Sequence, residues 1–139
     1  MNINLRPIVL TLTLFCHFCW ANSPIIVVAN TQDKTITLSR HEVRNLFMGG
    51  ALGHDFKAVA LPLENHTRIL FNTKVVGLTE SRIQSYWAQM RFTGRKKAPQ
   101  EVNNEQLMLE YLKNTAGAVG YLPAGISIPE ELTVVYTAP

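Results

Sequence analysis

The residues of this 139-residue chain best placed to do chemistry are Glu64, Asn65, His66, Thr67 and Arg68. An apolar run that reads as a strand precedes them, and a helical pattern closed by Gly77 follows. Where a strand turns into a helix, the first amides of the helix are unpaired and the helix dipole makes that end partly positive. Oxyanions are held at such corners. Thr67 brings a hydroxyl, Arg68 a guanidinium able to clamp with two bonds, and Asn65 and His66 further donors. Against this, 64–68 holds no glycine or serine, and Glu64 puts a negative charge beside the spot an anion would take. Asn65 is also suited to be an ordinary N-cap. From the residues alone, an oxyanion site and a purely structural corner both stay open.

A second cluster, Arg91, Arg95, Lys96 and Lys97, is packed into "RFTGRKK". It suits either a solvated turn or a contact for an acidic partner or polyanion. Little else has catalytic spacing. His41, His54 and His66 fall on separate segments with no metal-ligand spacing, and Ser39, Ser81, Ser85 and Ser127 sit in no nucleophile-elbow context. The expectation is a protein that is not an enzyme, with no catalytic residue, no metal and no cofactor.

The start of the chain, "MNINLRPIVLTLTLFCHFCWA", has one basic side chain, an apolar run from Pro7 to Phe18 and a small residue at Ala21. This is the pattern of a cleaved secretory signal over 1–21. The apolar run is shorter than the ~20 residues of a spanning helix, so no membrane span is expected after cleavage. Cys16 and Cys19 would leave with the signal, which excludes a disulfide framework or thiolate chemistry in the remainder. Net charge is +3 with histidine neutral, and loss of Arg6 lowers it by one. A balance so near neutral does not point to nucleic acid.

The elements that must position these residues follow from pattern. "PIIVVA" (24–29) reads as a strand buried on both faces. "LSRHEVRNLFMGG" (38–50) is a helix with Ser39 and Glu42 as a capping box, Leu38 and Val43 as a hydrophobic staple and Gly49–Gly50 as the stop. "FKAVALPL" (56–63) is a strand, ended by Pro62. A helix over 65–76 should bury Ile69, Leu70, Thr73 and Val76. The helix over 78–94 takes Thr79 as its cap and buries Ile83, Tyr86, Trp87 and Met90. The helix over 102–117 takes Asn103 as its cap and turns Leu107, Met108, Tyr111 and Leu112 inward. "GAVGYLPAG" (117–125) and "LTVVY" (132–136) are strands. Helices separating strands favour an α/β layer structure with a mostly parallel sheet, and no linker divides 22–139.

The order "TLSRHEVRNLFMGG", "LPLENHTRILFNTKVVG", "YWAQMRFTG", "YLKNTAGAVGYLPAG" resembles the periplasmic phosphate-binding proteins of ABC transporters, and their small single-domain relatives most. The resemblance implies a type II periplasmic binding protein fold, of which this chain looks like one three-layer lobe. It implies a periplasmic location, phosphate or a similar oxyanion as ligand, and a transporter permease as partner. The family's Ser-Gly-Thr loop, laid on this chain, falls on Asn65, His66 and Thr67, and only Thr67 keeps its type. The loop's Arg falls near Leu61, leaving Arg68 to substitute from another direction. A lone lobe leaves one side of the anion in water, where its attractions are screened. The alternative is an envelope protein-interaction module that keeps the fold and has lost the ligand.

Overall fold

The computed structural model describes residues 23–139; the expected signal segment 1–21 lies outside the described residues. Among the described residues five strands form one sheet: β1 (Ile25–Ala29), β2 (Lys57–Ala60), β3 (Gln100–Glu101), β4 (Ala118–Pro123) and β5 (Thr133–Ala138). Their order across the sheet is β3-β2-β4-β1-β5. Four helices connect them: α1 (Arg40–Phe47), α2 (His66–Phe71), α3 (Glu80–Thr93) and α4 (Glu105–Asn114). α2 continues without a break into a π-helical turn, Asn72–Val76, that ends at Gly77.

The expected α/β lobe is found, with one difference in its sheet. β2 runs parallel to β3 and β4, but β1 runs antiparallel to both β4 and β5. The sheet is therefore mixed rather than mostly parallel. Two-face burial of "IIVVA" suits either direction, because it follows from layers above and below, not from pairing.

Those layers are set by β4. Tyr121 stacks on Phe71 of α2 at 4.0 Å between ring centroids, and Phe47 of α1 meets both rings. Its neighbour Gly120 points the other way, against Met108 of α4. α1 and α2 thus cover one face and α4 the other.

The local signals act as read in three helices. Ser39 and Glu42 form the reciprocal capping box on α1, and Thr79 caps α3. Gly77 and Gly94 take the left-handed conformation that closes the helices before them. Elsewhere the structure departs from the pattern. Asn104, not Asn103, caps α4 through a 2.8 Å bond to the Leu107 amide. This one-residue shift leaves Leu107 exposed, with Met108 and Leu112 in the core. On α2 the buried face is Thr67, Arg68, Phe71, Asn72, Val75 and Val76, whereas Ile69 and Thr73 face solvent. Polar residues take the inward positions that an apolar stripe would claim.

Candidate functional site

β2 delivers the chain through Leu61 to the corner. Asn65 is the N-cap, its Oδ1 accepting a 3.2 Å bond from the Arg68 amide. Its Nδ2 donates to Glu105 Oε1 at 3.0 Å, and Thr67 Oγ1 donates to the same oxygen at 2.7 Å. Thr67 is only 5% exposed. The carboxylate from the first turn of α4 therefore takes up the side-chain donors of Asn65 and Thr67 at the start of α2. His66 stays exposed, as does Glu64.

Arg68, 7% exposed, is equally committed. Its Nε and Nη2 donate to the two oxygens of Glu80 at 3.0 and 2.8 Å. Nη1 donates to the Leu61 carbonyl at 2.6 Å and to Glu101 of β3 at 2.9 Å. Glu80 also accepts from Asn72 and Gln84, each at 2.7 Å. A fork held by one carboxylate with four donors on it is a charge-assisted network of high geometric specificity.

The four residues expected at the site are thus together in space, but the side-chain donors of Asn65, Thr67 and Arg68 point at Glu80, Glu101 and Glu105 rather than outward. The Arg68 guanidinium is held between two carboxylates, Glu80 and Glu101, and Glu105 takes the donors of Asn65 and Thr67. A free anion entering would add a further negative charge beside carboxylates already in place.

Burial alone would raise the Glu80 carboxyl, but the bonds from Arg68, Gln84 and Asn72 outweigh it and hold the group below the ordinary glutamate range. Glu105 behaves alike: burial raises it, while Thr67 and Asn65 bring it down on balance. A carboxyl depressed in the fold contributes stability above its unfolded pKa, and that contribution is lost as pH falls through the folded value. Urea denaturation at stepped pH should show stability falling below about pH 4.5, near the unfolded glutamate pKa. Glu105→Gln, which keeps an acceptor without the charge, should flatten part of that fall.

The basic cluster lies at the far end of α3. Arg91, Arg95, Lys96 and Lys97 are all exposed. Among them Phe92, which lies off the stripe of Ile83, Tyr86, Trp87 and Met90, is 93% exposed. The stem of Lys96 folds back over Gly49, beside Trp87. Glu80, Glu101 and Glu105 are the partners that the sequence does not reveal. Two of them open helices, where acidic residues serve the helix dipole and need no partner.

No family sequence model matches the chain, and no curated protein matches it by sequence. Among solved structures the fold is similar to an ABC-type phosphate transport receptor from Vibrio cholerae, with a TM-score of 0.60 and 17% identity. That likeness covers 81% of this chain and 45% of the receptor. PstS from Borrelia burgdorferi is similar with a TM-score of 0.51 and 9% identity, over 74% of this chain and 42% of its own. The chain spans less than half the length of either, and at these identities the likeness is one of fold.

Proposed function

We propose that this chain, built on one lobe of the phosphate-receptor fold, is a periplasmic interaction module rather than a receptor for free phosphate. Residues 1–21 export it and are removed, and 22–139 form its single domain. It has no catalytic role. Its partner is an acidic envelope protein, met by Phe92 with Arg91, Arg95, Lys96 and Lys97. The observation that carries this reading is the closed corner: Asn65 and Thr67 both donate to Glu105, so the donors that would hold an oxyanion are already satisfied from within. An aromatic exposed among four cations is the kind of anchor that dominates protein interfaces.

A second reading has one observation in its favour, the likeness to receptors whose names state phosphate transport. In it phosphate or a similar oxyanion displaces Glu105 and binds Asn65, His66, Thr67 and Arg68, and a transporter permease receives the complex.

Calorimetric titration of the purified protein with phosphate separates the two. We expect no saturable heat up to about 1 mM, the weak end of specific affinity. Saturable heat that Thr67→Ala abolishes would establish the second reading instead. In parallel, cross-linking in intact cells should capture an acidic envelope protein, and Phe92→Ala with Arg95→Glu and Lys96→Glu should abolish the capture. Capture unchanged by those substitutions would remove this surface from the proposal.

A further inference from the structure

α1 and α3 lie side by side and run the same way. Arg40, at the start of α1, donates from Nε to the Val75 carbonyl at 3.1 Å, and its Nη2 lies over Gly77, just ahead of α3. At the other end, the Tyr86 hydroxyl of α3 donates to the carbonyl of Met48, the C-cap of α1, at 2.8 Å. Residues four apart share one side of a helix. Arg44 therefore follows Arg40 along the α3 side of α1, and Arg82 precedes Tyr86 along the α1 side of α3. All three arginines are exposed.

No carboxylate answers them. Residues two apart on a helix do not face each other. Glu42 is two residues from both Arg40 and Arg44, and it closes the capping box with Ser39. Glu80 is two residues from Arg82 and holds Arg68. None of the three arginines forms an ion pair among the described residues. Helix stability does not account for them either. Arg44, in the last turn of α1, suits its helix dipole, but Arg40 and Arg82 stand in first turns, where a cation is unfavourable. Arg40 and Arg44 are also a like-charge pair at i, i+4, which weakens a helix. Three guanidiniums gathered against local preference, with the carboxylates turned away, suit a guest of several negative charges. Guanidinium forks match phosphate oxygens two at a time.

We propose that the seam between α1 and α3 binds a ligand carrying two or more linked phosphates, held by Arg40, Arg44 and Arg82. Soluble polyphosphate and the two-phosphate headgroup of cardiolipin both have this chemistry. Neither the corner at 65–68 nor the surface around Phe92 contributes, so the site stands whichever reading of the function holds.

The test is calorimetric titration of the purified protein with tripolyphosphate, alongside co-sedimentation with cardiolipin vesicles. Both are run at about 0.15 M salt, where separated exposed charges are largely screened. The expected result is saturable binding that Arg44→Gln with Arg82→Gln weakens about tenfold. Lys34→Gln with Lys113→Gln removes the same charge elsewhere and should leave binding intact. Without ligand, the arginine double variant should keep or raise the thermal midpoint, because it relieves repulsion. Vesicle binding lost in that variant assigns the headgroup as the source, and binding of tripolyphosphate alone assigns a soluble ligand. Saturation by neither probe, or equal weakening in the two double variants, would overturn the proposal. So would loss of binding in a folded Thr67→Ala protein, which would put the anion at the corner.

Discussion

Glu80→Ala is expected to destabilise the protein by about 3 kcal/mol, the low end of the cost of taking one partner from a buried charge, since Glu101 still holds one arm of Arg68. Arg68 is nearly inaccessible, and Glu80 accepts two of its bonds as well as those of Asn72 and Gln84. Removing the carboxylate orphans four donors at once. Glu101 cannot take over, since its side chain is about half exposed and already bonded to the other arm of the guanidinium. Loss of an acidic residue from the first turn of α3 adds a smaller penalty. A fall in thermal midpoint of about 10 °C or more is the corresponding observable, read by circular dichroism. Glu101→Ala should cost far less, about 1 kcal/mol, in keeping with a solvent-screened pair. Combining Glu80→Leu with Arg68→Met should recover much of the loss, because a buried pair replaced by apolar side chains of similar volume is often neutral. A loss below about 1 kcal/mol in Glu80→Ala would mean that water takes the place of the carboxylate on Arg68.

The same residues explain how far the sequence can be read. Signals confined to one element are legible: the Ser39–Glu42 box, the Thr79 cap, and the stops at Gly77 and Gly94 each need only neighbours within a few residues. The lobe itself is legible too, through the alternation of strands with helices. What escapes is everything decided between elements. Glu105 lies 38 residues from the Thr67 hydroxyl that it accepts, and Glu101 lies 33 residues from Arg68. In the sequence all three carboxylates look like solvated charges, so the corner looks free to receive an anion. The antiparallel pairing of β1 is hidden for the same reason: a strand covered on both faces has no alternation to reveal its direction. The inward side of α3 is legible from its stripe, since Ile83 and Trp87 are buried as the spacing predicts and Phe92, off the stripe, faces out.

The second large effect is expected at Gly117, where three strands are tied together. Its amide donates to the Asn30 carbonyl just past β1, and its carbonyl accepts from Lys57 at the start of β2, both at 2.9 Å. The Asn30 side chain in turn closes the end of α4 by donating to the Leu112 carbonyl at 2.7 Å. Gly117 has φ of 79°, a region that costs a residue with a Cβ about 1 kcal/mol or more. A Cβ there would also lie 2.5 Å from the Asp55 carbonyl oxygen, a backbone atom that cannot rotate away. Relief requires parting β2 from β4, the pairing that carries the chain toward the corner at 65–68. Gly117→Ala should therefore cost about 2–4 kcal/mol, the range of steric strain at a special backbone position. Gly53→Ala and Gly125→Ala meet nothing within 4 Å and should change stability by no more than about 0.5 kcal/mol. Chemical denaturation of the three variants side by side gives the comparison, and a Gly117→Ala protein as stable as the other two would show that β2 and β4 are not rigidly joined at this residue.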